Sequence, residues 1–447
     1  MSTPLSSRVA LGSLGLGVAL LAGCANYHPL ALPTAPNLAA LPALTVRASR
    51  FALPGRPPRP LPPNGLDETA VMTLAVFNNP DLQAVRLQSG IADAQLLQAG
   101  LLPDPVVGAG FARSALHNGF NLGLSQDLHA LFARGAALAA ARAHQRQVSL
   151  GLVWQEWQVA ARASQLFFQT QADSHLQPLL LANRNLLAQR YQQDQAALQA
   201  GNLTLGSIAP DLSALTDADA NLRQLQADAD LTRRQLLELL GLDPDAHLPL
   251  VGRDQSPALS SRQFHQALAA LPQRRADLLA LAAGYQAQEQ ALRQAILAQF
   301  PALTATVSQA RDPVEGVNSV GVGVTLTLPL FNRNRGEIAL QRATRAELRQ
   351  TYQARLDQAV GDAEQVWAAA RILRAQLGDL ERRLPALGMM VAAARQSVQS
   401  HNLEAGLYVN LESTRLARQA QAVRLRAALA QANSSLRILL GLPLGAP

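Results

Sequence analysis

The sequence contains no lysine and a single cysteine, and aromatic side chains make up only 4% of its 447 residues. The absence of lysine excludes a Walker-type phosphate loop and any enzyme that works through a lysine Schiff base. A single cysteine, Cys24, excludes an internal disulfide and a metal site built from several cysteines. Such a chain, rich in Ala, Leu and Gln, favours long helices that pack closely through small residues.

Charge and histidine spacing narrow the function classes further. All 38 basic residues are arginines, and they lie among Asp and Glu along the chain, so the sequence indicates no nucleic-acid partner. No two of the eight histidines are four residues apart, as metal ligands on one helix face would be, and we expect neither a metal site nor a cofactor. Because no catalytic triad or carboxylate pair stands out, the sequence predicts a protein that is not an enzyme.

The N-terminal segment has the pattern of an exported lipoprotein. After Arg8 an apolar run ends in Leu21-Ala22-Gly23-Cys24, which resembles a bacterial lipobox, so residues 1–23 are predicted to be a signal peptide and Cys24 a lipidated, palmitate-bearing N-terminus. A buried cysteine after an ordinary signal is the alternative. Ala25 resembles the residue that sorts lipoproteins to the outer membrane. Residues 24–65 contain many prolines and are predicted to form an extended tether.

Four short stretches alternate between apolar and small or polar residues. The clearest is Val320–Pro329, in which one face of a strand would carry only Val and Leu and the other only Gly and Thr. This pattern is typical of a membrane strand of about 10 residues. The three others are Val106–Phe111, Phe120–Leu128 and Leu303–Ser308.

Four strands are too few to close a barrel by themselves. Single-chain barrels begin at about 8 strands, and an open sheet edge inside lipid would leave backbone groups without hydrogen bonds. The sequence therefore predicts that several chains share one barrel.

The remainder is predicted to be helical and internally duplicated. Long helices are predicted at Phe132–Ala200 and Glu337–Asn402, the second with apolar residues at coiled-coil spacing. A turn at Gly201–Pro210 would precede a return helix, Asp211–Leu240. Leu239-Leu-Gly-Leu242 recurs 200 residues later, and Ala200-Gly201 is matched to Ala405-Gly406 at the end of the second long helix. The predicted domains are repeat 1 (66–250), a linker (251–264) and repeat 2 (265–447).

From about Leu66 to Leu442 the chain resembles the TolC-type outer-membrane efflux factors. The resemblance is carried by Asn79–Leu82, by Ala99–Pro103 and by the paired Leu-Leu-Gly-Leu helix ends. It implies a homotrimer with a 12-stranded barrel in outer-membrane lipid, four strands per chain, above a periplasmic α-helical barrel. It also implies two protein partners, a periplasmic adaptor and an inner-membrane pump of the RND type. The alternative from another class is a periplasmic coiled-coil adaptor or scaffold lipoprotein.

The segment Pro329–Gly336, where the last strand passes into the second long helix, resembles a motif of the Czc-type branch that exports heavy-metal cations. The same segment also has a structural interpretation, in which proline ends the strand, Asn332 caps the helix and arginine lies at the lipid headgroups. Export of drugs or other organic solutes is the alternative. The residues of this motif are Pro329, Phe331, Asn332, Arg333 and Gly336.

The turns after the two long helices are predicted to be the periplasmic tips. By the resemblance, such tips contact the adaptor, and acidic residues near them form the gate. An ordinary role in solvation or helix capping is the alternative for each acidic residue. The adaptor-contact candidates are Gly201, Leu203, Gly406, Leu407 and Tyr408, and the gate candidates are Asp194, Asp211 and Glu404.

Overall fold

The computed structural model describes residues 28–35, 38, 65–115, 118–252 and 257–442. The chain divides into two units, Met1–Leu38 and Ala39–Pro447. In the first unit, the described residues form neither helix nor strand and are exposed. Cys24, the predicted signal peptide and most of the predicted tether lie outside the described residues.

The second unit is mainly helical with one small antiparallel sheet, as the sequence predicted. Its elements alternate between helices and pairs of strands. In chain order they are α1 (Glu68–Asn78), α2 (Pro80–Gly100), β1 (Val106–Arg113), β2 (Asn118–Asp127), α3 (His129–Gln199), α4 (Leu205–Leu239), α5 (Ser261–Ala269), α6 (Leu271–Arg274), α7 (Ala276–Leu297), β3 (Ala302–Arg311), β4 (Asn318–Thr327), α8 (Arg335–Gln399) and α9 (Ala405–Leu439).

The two halves repeat the same order of elements with closely matched lengths. Helices α2 and α7 have 21 and 22 residues, the long helices α3 and α8 have 71 and 65, and the return helices α4 and α9 have 35 each. At 1.5 Å per residue, each long helix spans roughly 100 Å. The structure therefore has the internal duplication that the repeated sequence motifs indicated.

Two of the motifs that carry the family resemblance, Asn79–Leu82 and the first Leu-Leu-Gly-Leu helix end, meet in space. The Asn79 side chain caps α2 by accepting a hydrogen bond from Leu82 N at 3.0 Å, and it donates to the Leu239 carbonyl at 3.1 Å. In the second half Arg275, which also precedes a helix, donates to the Leu439 carbonyl at 3.5 Å. Each return helix is thus tied at its C-terminus to the start of the helix that leads into its own strand pair.

Each half has its own hydrophobic core around a short helix. In the first half, α1 packs Val71 and Leu74 against Phe167 and Leu236 of α3 and α4. In the second half, Phe264 of α5 stacks on Trp367 of α8, with ring centroids 4.6 Å apart. The sequence prediction missed α5: a capping box at Ser260 and Gln263 starts this helix inside the predicted linker.

A buried charged cluster joins the two halves. Arg275 is only 1% exposed, and its guanidinium binds Asp277 at 2.9 Å and lies over the Trp154 ring at 4.7 Å. Arg355 of α8 binds the other Asp277 oxygen at 2.7 Å. Because one carboxylate holds two guanidinium groups beside an indole from α3, the cluster fixes α3, α7 and α8 against one another.

Three predicted boundaries were wrong. Helix α4 begins at Leu205, ahead of Pro210, because proline already has a helical φ and the burial of Ile208 favours the early start. Gly406 does not end the second long helix but lies in the first turn of α9. His401, with φ 59°, has the left-handed position that Gly201, with φ 78°, has after α3. Asn332 does not cap α8, since the residue before that helix is Asn334.

A buried acid in α3 gives a prediction about stability and pH. Asp173 is 3% exposed, and its Oδ2 has no hydrogen-bond partner among the described residues, whereas Oδ1 accepts from Gln169 at 2.9 Å. Burial is the main reason that the pKa of Asp173 is raised. The negative charge of Asp228 raises it further, and hydrogen bonds from Gln169 and Thr232 oppose the rise.

Because the folded state raises the pKa of Asp173, its contribution to the free energy of unfolding is fully present below the unfolded pKa of 3.8, where the carboxyl is protonated in both states. This contribution is lost as pH rises through the folded pKa, because the buried carboxyl then ionises. We expect Asp173→Asn to have a higher Tm than the unsubstituted protein at pH 7, with a difference that disappears below pH 3.8. Thermal unfolding followed by circular dichroism over a pH series measures this. The control is Asp217→Asn, an exposed acid on α4, and an equal gain from it would contradict the assignment.

Candidate functional site

The register of the sheet aligns the apolar side chains of all four strands. Residues that face each other in an antiparallel pair point to the same side of the sheet. Val107 pairs with Leu124, Leu124 with Val307, and Val307 with Val322, so one apolar row crosses the sheet. We call this side the apolar face; it carries Val107, Ala109, Phe111, Phe120, Leu122, Leu124, Leu303, Ala305, Val307, Val320, Val322, Val324 and Leu326.

The opposite side of the sheet consists of small and uncharged polar residues over most of its length. We call it the small-residue face, and its pairs include Gly108 with Gly123, and Thr306 with Gly323. On the apolar face, polar side chains lie towards the strand ends, as Arg113, Gln126 and Arg311 do. Within a single chain, every residue of β1 and of β4 is exposed, including Val322 at 81%.

Both edges of the sheet are open. The strand order is β1-β2-β3-β4 with antiparallel neighbours throughout, so among the described residues β1 and β4 each pair on one side only. Long apolar edge strands pair readily with other chains. Because β1 and β4 run in opposite directions, β4 of one copy can add antiparallel to β1 of another, and the apolar face continues across the junction.

Exposed phenylalanines lie at both ends of the sheet. Phe132, Phe300 and Phe331 are 76, 63 and 98% exposed. They lie at the end of the sheet that adjoins the helices, where α7 ends and where α3 and α8 begin. Phe111, 75% exposed, lies near the opposite end. Exposed aromatic residues that cluster at one level are typical of surfaces that contact lipid or another chain.

The predicted strand–helix motif forms the turn between β4 and α8. Pro329 is half-buried, whereas Phe331 and Asn332 are exposed. Arg333 and Asn334 adopt the left-handed backbone, with φ 47° and 50°, which costs about 1–2 kcal/mol per residue. The Asn334 side chain holds this turn by donating to the Ala295 carbonyl at 2.8 Å. Gly336 is exposed in the first turn of α8, with open space around it.

At the other end of the long helices, Arg190 of α3 joins the two tips. Its Nε lies 2.8 Å from Asp211 and 3.5 Å from Asp194, two of the three gate candidates. Its Nη1 donates to the Gly406 carbonyl at 3.2 Å and to Asn410 at 3.4 Å. One guanidinium therefore connects α3 and α4 of the first half with α9 of the second, and we call this set of bonds the tip contact.

The other predicted tip residues surround this contact. Tyr408 packs into an apolar cluster with Leu187, Ala218 and Val409. Leu203 is half-buried in the turn between α3 and α4, and Leu407 in α9 is 49% exposed. Glu404, the third gate candidate, does not join the contact; it precedes α9, is exposed, and its side chain bonds to none of the described residues.

The electrostatics of the tip contact favour a change with pH. Burial is the main reason that the pKa of Asp211 is raised; the neighbouring Asp194 adds to the rise, and Arg190 opposes it. When Asp211 takes up a proton, the charge that Arg190 binds disappears. The ion pair between Arg190 and Asp211, which joins α3 to α4 within the tip contact, therefore weakens as pH falls through this raised pKa.

Among the described residues, no group of three or more His, Cys, Asp or Glu side chains is arranged to hold a metal ion. None of the described helices combines the length and the apolarity needed to cross a bilayer.

The fold is that of known outer-membrane channels. CusC, which changes conformation as it folds and forms a transmembrane channel, superposes with a TM-score of 0.69 at 18% identity, over 84% of this chain and 92% of its own. The outer membrane protein VceC of Vibrio cholerae superposes with a TM-score of 0.68 at 18% identity, over 84% of this chain and 96% of its own. The CmeC outer membrane channel of Campylobacter jejuni superposes with a TM-score of 0.69 at 15% identity, over 95% of this chain and 96% of its own. No family model matches the sequence, and no curated protein matches it. These superpositions establish the fold, and the CmeC protein that shares it is a channel.

Proposed function

We propose that this protein is the outer-membrane duct of a tripartite efflux system, a passive homotrimer that conducts solutes from the periplasm to the exterior. The sheet is the observation that carries the proposal. It has one apolar face, one face of small residues, and two open edges, and it stands at the end of helices roughly 100 Å long. The apolar face would contact lipid, and the small-residue face would line a water-filled lumen.

Three copies resolve the problem of the open edges. Each copy contributes four strands, and joining β4 of each to β1 of the next gives twelve antiparallel strands with no free edge. Exposed phenylalanines at the two ends of the sheet would form aromatic belts at the two membrane interfaces, as is usual in such barrels. A lipid on Cys24 would add an anchor at the same membrane.

The tip contact is the proposed gate. In the closed state, Arg190 holds α9 of the second half against α3 and α4 of the first. Opening requires this bond to be exchanged for others, which an adaptor bound at Leu203, Leu407 and Tyr408 would supply. The transition is then a shift of helix pairs biased by a partner. An inner-membrane pump, of the RND type by resemblance, would supply the energy.

We propose heavy-metal cations as the solute, on the resemblance of Pro329–Gly336 to the motif of metal-exporting channels. The small-residue face would line the barrel with hydroxyl groups and backbone, which tolerate a hydrated cation without trapping it. Drugs or other organic solutes remain the second candidate, since the same lining also passes uncharged polar molecules.

Growth of a deletion strain against a panel of metal salts and antibiotics tests this proposal. We expect loss of the gene to lower resistance to heavy-metal cations and plasmid complementation to restore it. Sensitivity to organic compounds alone would replace the solute class and leave the duct intact. If the protein instead fractionated with periplasmic proteins and carried no barrel, the rival interpretation as a coiled-coil adaptor or scaffold lipoprotein would be correct.

A further inference from the structure

We propose that each chain binds one phosphate-bearing lipid at the junction between the sheet and the helices, an inference that depends on the proposed membrane position of the sheet. The site is a pocket of about 350 Å³. Its walls come from Phe132 and Ala133 of α3, Leu297 and Phe300 at the end of α7, and Leu303 and Leu326 of the sheet. We call it the junction pocket.

The lining of the junction pocket matches an acyl chain. Apart from His129 at the start of α3, its described lining residues are all apolar. Leu303 and Leu326 face each other across β3 and β4 and belong to the apolar face, so the pocket continues the surface that would meet lipid tails. Its volume lies within the range of roughly 300–1,000 Å³ that is usual for ligand pockets.

A positive charge lies next to the apolar pocket. A second pocket of about 400 Å³ shares Phe300 and Pro301 with the first, and its lining includes Arg333. The Arg333 guanidinium makes no hydrogen bond or ion pair with any described residue. None of the described residues that line either pocket is acidic. Oδ1 of Asp127, just before the start of α3, accepts hydrogen bonds from the backbone N–H groups of His129 and Ala130, at 2.8 and 3.4 Å.

A ligand with an acyl tail and an anionic head fits this pair of features better than a second copy of the chain does. The junction pocket lies where α3 leaves β2 and α7 enters β3, which are the two inner strands of the sheet, and among its described lining residues only Leu326 comes from an outer strand. A neighbouring copy would join at the outer strands, β1 and β4. A phospholipid of the periplasmic leaflet would place its tail between Phe132 and Phe300 and its phosphate at Arg333.

Native mass spectrometry of the assembled protein, extracted from outer membranes and stripped of loosely held lipid by detergent, tests the site. The probes are phosphatidylglycerol and diacylglycerol, which has the same tails without the phosphate. We expect one retained phosphatidylglycerol per chain. Ala133→Phe, which fills the pocket, should abolish retention of both probes. Arg333→Gln should weaken phosphatidylglycerol binding about tenfold and leave diacylglycerol binding unchanged.

The matched control is Arg335→Gln, an exposed arginine two residues away that lines neither pocket. Equal retention by all variants, or equal binding of the two probes by the unsubstituted protein, would overturn the proposal. Loss of the assembled oligomer in Ala133→Phe with lipid binding intact would overturn it as well, since the pocket would then be a contact between copies. If the unsubstituted protein were absent from the membrane fraction, the proposed function itself would have failed.

Discussion

Val322→Arg is expected to lower the amount of assembled oligomer severely. Val322 lies in the middle of β4 on the apolar face, in the row formed with Val307, Leu124 and Val107. An arginine facing lipid near the midplane of a barrel costs about 2–4 kcal/mol per substitution. Because each of three copies would carry the charge, the cost is incurred three times in one particle. Crosslinking of outer-membrane extracts, followed by an unboiled gel, measures the oligomer fraction.

Thr325→Arg is the matched control in the same strand. Thr325 pairs with Thr304 and lies on the small-residue face. An arginine there would face water in the lumen, so we expect normal assembly together with altered conductance in planar bilayers. Equal loss of oligomer from both substitutions would rule out the assignment of the two faces.

Arg190→Ala is expected to open the tips. It removes every bond of the tip contact at once and leaves Asp211, whose side chain is 11% exposed, without its cation. The bonds that cross between the tips are the two that Arg190 donates to the Gly406 carbonyl and to Asn410, and a hydrogen bond from a charged group contributes about 1.5–3 kcal/mol. Since 1.4 kcal/mol is a factor of ten in an equilibrium, the closed state would lose its advantage by at least about tenfold. Single-channel recordings should show a larger open fraction, and cells should become sensitive to a bulky antibiotic.

Arg184→Ala provides the control for the gate. Arg184 lies on the same helix and binds Asp219 of α4 at 2.8 Å, so it joins α3 to α4 only. Its removal should leave the open fraction unchanged. If Arg184→Ala and Arg190→Ala opened the channel equally, general loosening of the helices would explain the result, and the tip contact would not be the gate.

The sheet and the long helices could be predicted because their signals are periodic and local. Alternation in Val320–Pro329 identified both a strand and its two faces, and the register then placed the apolar residues of four strands on one side. The 200-residue repeat indicated two equivalent halves. Such patterns indicate whether each side chain faces an apolar or a polar environment, and they can be read without knowing which distant residues are in contact.

The tip contact could not be predicted, because it depends on distance in space. Arg190 and Gly406 are 216 residues apart in sequence, and neither residue type suggests the other. The spacing of Arg190 and Asp194, one helical turn, was a signal, but it is equally typical of a surface ion pair. Asp194 and Asp211 were proposed from their nearness to the turns, whereas Glu404, chosen by the same reasoning, lies outside the contact.

The left-handed turn before α8 shows another limit of sequence analysis. Asparagine is a common helix cap, which favoured Asn332, but both Arg333 and Asn334 take a backbone that few side chains adopt. The contact that stabilises this turn, from Asn334 to the Ala295 carbonyl, comes from α7 and is absent from any local pattern. The residue before α8 is therefore held by a tertiary hydrogen bond rather than by a local capping bond.

The mass of the particle extracted from outer membranes tests the central claim most directly. Each chain has two open sheet edges, so we predict three copies and no stable single chain, with a native mass three times that of the mature polypeptide. Retention of that mass in detergent, together with its loss in Val322→Arg, would establish shared closure of the barrel. A monomer that remains folded in water without detergent would contradict the account.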